Sequence, residues 1–110
     1  MQDILDAVRE IRRFVAGMSY PQFAADPKTI KAVLADFNIV GEAASHIPPE
    51  IQNTYPTIEW RKMRSMRNIV VHIYFAVDPR IVWDTIENDL AGLEQQLVLL
   101  LAATEAEDPG

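Results

Sequence analysis

Four runs of apolar residues at spacings of three and four, each bounded by proline, confine this chain to helices. In the first run Ile4, Val8, Ile11, Val15 and Met18 form one stripe of a helix over about residues 3–18, which Ser19-Tyr20-Pro21 ends. The second opens at Asp26-Pro27, a capping side chain followed by a residue whose fixed φ suits the first helical position. Ile30, Val33, Leu34, Phe37, Val40 and Ala44 carry its stripe, and Pro48-Pro49 stops it. Residues 48–57 connect onward, with one short helical turn expected after Pro49. A third helix is predicted to start near Thr57, just after Pro56, and to carry Trp60, Met63, Met66, Ile69, Val70 and Ile73. Asp78-Pro79 repeats the cap-and-proline device and opens a fourth, with Val82, Ile86, Leu90, Leu93, Leu97, Leu100 and Leu101 inward. No stretch alternates as a strand would. The expectation is an all-α, antiparallel bundle of four to five helices over residues 1–103, with an acidic tail at 104–110.

Two details of that pattern reach beyond the single chain. Gly41 sits inside the second helix, where it costs ~1 kcal/mol against alanine, and close approach of another helix would be a reason to keep it. The stretch Leu97-Val98-Leu99-Leu100-Leu101 is apolar almost all round, although a helix in so small a bundle buries one stripe. The surplus implies a second partner surface, most simply a homodimer.

Composition excludes several classes of function. The chain has 110 residues, enough for one domain. It has no cysteine, hence no disulfide framework, thiolate metal site or cysteine nucleophile, and its two histidines are too few for a histidine-rich zinc site. No metal or cofactor is expected. Acids begin at Asp3 with no apolar leader, and the longest apolar run, Leu97 to Ala103, is far short of the ~18–20 residues of a membrane span. These features favour a cytoplasmic protein without membrane contact. A net charge of −6 argues against non-specific nucleic-acid binding by the whole surface. The charge is uneven: residues 81–110 hold seven acids and no Lys or Arg, whereas Arg61, Lys62, Arg64 and Arg67 fall within seven residues. That cluster is either a local anion site or a solvated helix face.

The chemistry-bearing stretch runs from Arg64 to Asp78, where Arg67, Asn68 and His72 interrupt an apolar helix end. Unpaired polar groups are costly to bury, so they need a reason. Histidine suits proton transfer near neutral pH, and the arginine fork matches two phosphate oxygens. Together they could cleave an RNA phosphodiester without metal, the 2′-hydroxyl supplying the nucleophile. On a regular helix Arg67 and His72 are about 140° apart. Asn68 and His72 share a row that Arg64 continues, and Arg67 and Tyr74 lie on a second row. One straight helix cannot aim Arg67 and His72 at one phosphate, so it bends, the side chains reach round, or two subunits pool residues. The alternative is structural, with Arg67 paired to an acid and His72 capping a helix end.

Arg67-Asn68-Ile69-Val70-Val71-His72, continuing into Tyr74, resembles the R-x4-H-x-Y motif of HepT-like toxins of the HEPN superfamily of helical nucleotide-binding and ribonuclease domains. Trp60 and Met66 before the motif, Asp78 and Val82-Trp83 after it, and the early Asp3-Ile4-Leu5, Phe37-Asn38-Ile39-Val40-Gly41-Glu42-Ala43 and Pro48-Pro49 extend the likeness over about residues 1–101. The resemblance implies a homodimeric, metal-independent endoribonuclease whose Arg67 and His72 are catalytic in a cleft at the dimer interface. Asn68 is assigned support for the site, and so is Arg64. It also implies a type VII-like toxin–antitoxin pair, in which an MntA-like minimal nucleotidyltransferase silences the toxin by adding AMP to Tyr74. The competing reading is a non-catalytic helical module that binds a nucleotide or a partner. A plain structural bundle carrying the motif by chance ranks below both.

The remaining polar residues read as structural. His46 falls near the C-terminal end of the second helix, where a cation meets the negative end of the dipole. Phe37, Trp60 and Trp83 are at core spacing, and Tyr20 and Tyr55 precede prolines as loop-packing residues. Asp84 with Glu87, and Glu105 with Asp108, lack metal-ligand company. Arg9, Arg12 and Arg13 either extend a basic rim or pair with Asp6 and Glu10.

Overall fold

A computed structural model of the chain describes the backbone of residues 1–76 and 78–107 and the side chains of residues 1–70 and 78–104. Helix α1 (Gln2–Val15) buries Ile4, Leu5, Ala7, Val8, Ile11 and Val15 along one face. It ends a turn before Met18, because Gly17 takes φ +78°, a value that suits glycine. Ser19 then starts a new helix instead of only ending the old one. Its hydroxyl accepts from the Gln22 amide, and the Gln22 side chain accepts from the Ser19 amide at 2.8 Å, capping α2 (Tyr20–Ala24).

Asp26 caps α3 (Pro27–Ser45) as its sequence predicts, Oδ1 accepting from the Thr29 amide at 3.1 Å and Oδ2 from the Thr29 hydroxyl at 2.7 Å. The Thr29 hydroxyl bond holds the Asp26 carboxyl below its ordinary value. After the short α4 (Pro49–Thr54) comes α5 (Trp60–Ala76), which starts three residues later than Thr57 because the chain first turns at Pro56-Thr57-Ile58. The central element is α3, flanked by α1 and α5. Phe23, Val33, Phe37, Val40, Ala44, Met63 and Met66 fill the space between them.

Asp78 accepts from the Arg80 amide at 3.0 Å and opens α6 (Pro79–Thr85), which passes through a π-helical turn (Ile86–Leu90) into α7 (Ala91–Glu107) without leaving helical backbone. All six stripe positions from Val82 to Leu100 are buried. Two successive steps of four, Val82 to Ile86 to Leu90, would overshoot a regular turn by about 40° each. The wider π turn takes up that overshoot and keeps one face inward. Helix α7 continues past Thr104 to Glu107.

Four long helical segments and two short ones thus make up the described residues, with no strand among them. Among the described residues no helix is long and apolar enough to cross a membrane. On α7, Leu99 is 64% exposed and Val98 39% exposed, the surplus apolar face noted in the sequence. Arg9 and Arg12 do not pair with Asp6 or Glu10. Both reach across to Glu94 on α7, because α1 packs directly against that helix. Trp83 packs on Phe23 with ring centres 5.3 Å apart and on Tyr20 at 6.1 Å, and Arg80 lies over the Tyr20 ring at 4.5 Å.

Candidate functional site

Helix α5 turns Trp60, Met63 and Met66 into the core, so the intervening residues of the same turns face outward. Arg67 and Asn68 are exposed and Arg64 is half-buried. The helix is anchored at its start, where the Trp60 indole donates to the Tyr55 carbonyl at 3.1 Å and the Glu59 amide donates to Gln96 Oε1 at 3.2 Å.

Arg67 is seated by glycine. A Cβ on Gly41 would lie 2.5 Å from Arg67 Cγ and 2.8 Å from the Arg67 backbone nitrogen, so α3 and α5 meet at a separation that only glycine permits. The next residue on α3, Glu42, accepts from Arg67 Nη1 at 2.9 Å. Its other carboxylate oxygen lies 3.9 Å from His46 Nδ1, which also lies 2.8 Å from the Glu42 carbonyl oxygen. A carbonyl only accepts, so Nδ1 carries the proton and the imidazole closes the end of α3 as its position predicts.

Arg64 is held one turn earlier on α5. Its Nη1 donates to Gln52 Oε1 at 3.0 Å, and Gln52 Nε2 donates to the Ile47 carbonyl at 2.9 Å. The two helices run in opposite senses here: Gly41 faces Arg67, while the chain beyond α3 reaches back toward Arg64.

The structure therefore brings Arg64 and Arg67 to one end of α3 and leaves Asn68 exposed beside them. His72 and Tyr74 continue on the backbone of α5, about 7.5 Å and about 10 Å further along its axis than Arg67. Their side chains lie outside the described residues. Arg67 does pair with an acid, as the structural alternative supposed. The pair is half-exposed on both sides, however, and ion pairs of that kind contribute ~0–1 kcal/mol. Among the described residues no group of three or more His, Cys, Asp or Glu is placed to hold a metal ion.

Sequence reasoning missed two partners of the site, Glu42 and Gln52. Glu42 had a signal, since it adjoins Gly41, the glycine inside the second helix of the sequence. Gln52 had none. A third residue, Asp36, lies on the buried side of α3 and is 4% exposed, with Oδ2 lacking any hydrogen-bond partner. Burial, followed by the neighbouring Glu10 carboxylate, pushes its carboxyl up to about 7, with Arg13 opposing the rise. Its place three residues after Val33 and four before Val40 was the available clue.

The fold is all-helical among the described residues, and its R-x4-H-x-Y helix seats the arginine against a glycine of the facing helix, in keeping with a helical domain of the HEPN class. The chain belongs to the ribonuclease HepT-like family of that superfamily, whose profile matches residues 4–100. It is 36% identical over 94 residues to a Thermococcus cleftensis protein named as a probable ribonuclease HepT, covering 86% of each chain. It is 31% identical over 108 residues to a Methanocaldococcus jannaschii protein, covering 98% of this chain and 89% of that one. It is also 31% identical over 101 residues to a Caldanaerobacter subterraneus subsp. tengcongensis protein, covering 92% and 90%. Both of these are provisionally named as RNases. No solved structure matches the chain significantly.

Proposed function

We propose that this protein is a metal-independent endoribonuclease in which Arg67 binds and stabilises the scissile phosphate and His72 moves the proton. The observation that carries the reading is the seating of Arg67. Its backbone is held against Gly41 while its guanidinium stays half-exposed on an exchangeable carboxylate, inside an intact R-x4-H-x-Y pattern. In the reaction the RNA 2′-oxygen forms a bond to phosphorus as its proton leaves to a base. The bond from phosphorus to the 5′-oxygen breaks, and that oxygen takes up a proton. The products are a 2′,3′-cyclic phosphate and a 5′-hydroxyl. The guanidinium offsets the charge that builds on the phosphorane oxygens.

The angular separation of Arg67 and His72 supports a homodimer that pools the two residues, and the exposed Val98 and Leu99 offer an apolar face for it. We further assign the chain the toxin role of a type VII-like toxin–antitoxin pair. The cognate MntA-like nucleotidyltransferase would transfer AMP from ATP to the Tyr74 oxygen, releasing pyrophosphate. An AMP phosphate on the same helical row as Arg67 would compete for the guanidinium.

The test is cleavage of a single-stranded RNA by the purified chain in EDTA. Cyclic-phosphate ends should appear, and substrates with 2′-deoxy sugars should resist. Absence of cleavage would favour a non-catalytic partner-binding module, and loss on chelation would exclude the metal-free mechanism. Tyr74→Phe should retain cleavage but escape both the AMP adduct and silencing when incubated with the nucleotidyltransferase and ATP. Equal modification and silencing of the variant would remove Tyr74 from this role.

A further inference from the structure

We propose that the groove between α4 and the start of α5 is the track that holds the RNA strand flanking the scissile phosphate, and that it grips backbone phosphates without reading bases. This rests on the ribonuclease reading and extends it to substrate binding. The groove has a volume of about 520 Å³, and its lining includes Gln52, Asn53, Thr57, Arg61 and Arg64. It therefore starts at Arg64, three residues from Arg67.

Its charge stands out against a chain of net charge −6. The one acid in the lining, Glu59, shares Lys62 with Asp89, at 2.6 Å and 3.2 Å, so Arg61, Lys62 and Arg64 together exceed the nearby acids by one charge. Among the described residues no carboxylate lies within ion-pair distance of Arg61 or Arg64, nor of Arg13, Lys28 or Lys31, but only Arg61 and Arg64 line this groove together; Arg9, Arg12, Arg67 and Arg80 each have a carboxylate partner. Arg61 is exposed. Arg64 is fixed by the neutral Gln52 amide, which orients the guanidinium and leaves its charge unmatched. A polyanion is the ligand that such a surface selects.

The spacing fits a strand. Arg61, Arg64 and Arg67 recur every three residues and form a ridge inclined at about 45° to the helix axis. From first to last they rise about 9 Å along α5, which on a ridge so inclined is a path of about 13 Å. At ~3.4 Å per stacked nucleotide that is three to four nucleotides. Aromatic platforms for bases are lacking in the groove. Trp60 is 6% exposed and its N–H is committed to the Tyr55 carbonyl. Phosphate contacts fix register and orientation without carrying sequence information.

The experiment measures binding of 2′-O-methyl oligonucleotides, which cannot be cleaved, by fluorescence anisotropy. Wild type, Arg61→Gln and Arg61→Lys are each titrated with a 3-mer and a 12-mer at several salt concentrations. Arg61→Gln should weaken the 12-mer about 5-fold with much less effect on the 3-mer. It should also lower the slope of log affinity against log salt by about 0.7, the value for one phosphate contact on a single strand. Arg61→Lys should restore the slope. Equal weakening of both lengths, an unchanged slope, or changes that depend on base sequence would overturn the proposal. So would loss of nucleotidyltransferase binding with RNA affinity unmoved, which would make the groove a protein interface. Failure of the ribonuclease reading would appear separately, as no cleavage of the unmodified 12-mer by a wild type that binds it.

Discussion

Two acids six residues apart on α3 meet opposite fates. Glu42 is half-exposed and shares its carboxylate with Arg67. Asp36 is 4% exposed and leaves one oxygen without a partner beside a second carboxylate, Glu10. Water explains the difference. Where solvent reaches, a charge is cheap to keep and its pairing can be exchanged, which suits a group that must yield to a substrate. Where solvent is excluded, the same charge becomes so costly that the carboxyl holds its proton up to about pH 7. One end of α3 thus carries an exchangeable ion pair, and the middle carries a buried carboxyl whose ionisation is opposed.

The comparison can be broken most severely at the exposed end. His72→Ala should lower cleavage by about 10²–10⁴-fold, the usual contribution of an acid–base group, and Arg67→Ala by about 10²–10³-fold, the usual contribution of one stabiliser of transition-state charge, each with the circular dichroism spectrum unchanged. Full activity of either folded variant would leave the α3 end without a catalytic role. Gly41→Val comes next. Even its Cβ would meet Arg67 Cγ at 2.5 Å, so α5 must shift. A loss of ~1–3 kcal/mol in urea unfolding is expected, together with a raised KM for RNA. An unperturbed KM would show that the seat of Arg67 does not matter.

At the buried centre the prediction concerns pH. Unfolded Asp36 titrates near 3.8 and the folded group near 7, so between these values the folded chain binds the extra proton. Its contribution to stability is complete below about 3.8 and is lost as pH rises through about 7. Asp36→Asn, whose amide cannot ionise, should remove that loss and be more stable than wild type at pH 8 by on the order of 2 kcal/mol, part of the cost of ionising a carboxyl raised to about 7. Urea unfolding from pH 5 to 8 measures it, and parallel curves for the two proteins would contradict it. The smallest effect belongs to Glu42→Gln. Removing an exposed ion pair should change stability by less than ~1 kcal/mol. It should lower KM for RNA by up to about 5-fold, because the phosphate no longer competes with a carboxylate. A rise in KM would instead make Glu42 a positioning residue for Arg67.

Much of the fold was legible because helices announce themselves locally. The stripes of α1, α3 and α5–α7 follow from periodicity, and the Asp26-Pro27 and Asp78-Pro79 starts from capping chemistry. The short α2 was missed because Tyr20-Pro21 reads as a stop unless Ser19 and Gln22 are weighed as a reciprocal cap. The pairing of Arg9 and Arg12 with Glu94 was also hidden, since it joins residues more than 80 apart in the chain.

The sequence by itself determined the helical class, the capped starts of α3 and α6, the R-x4-H-x-Y constellation and the family, because each depends on residues close in the chain. Only the tertiary structure decided that Gly41 holds the Arg67 backbone, that Glu42 occupies the guanidinium, that Gln52 fixes Arg64, and that Asp36 is sealed beside Glu10. Those facts depend on how helices cross and on where water is excluded. Both are set by packing among distant segments, and no local spacing encodes them.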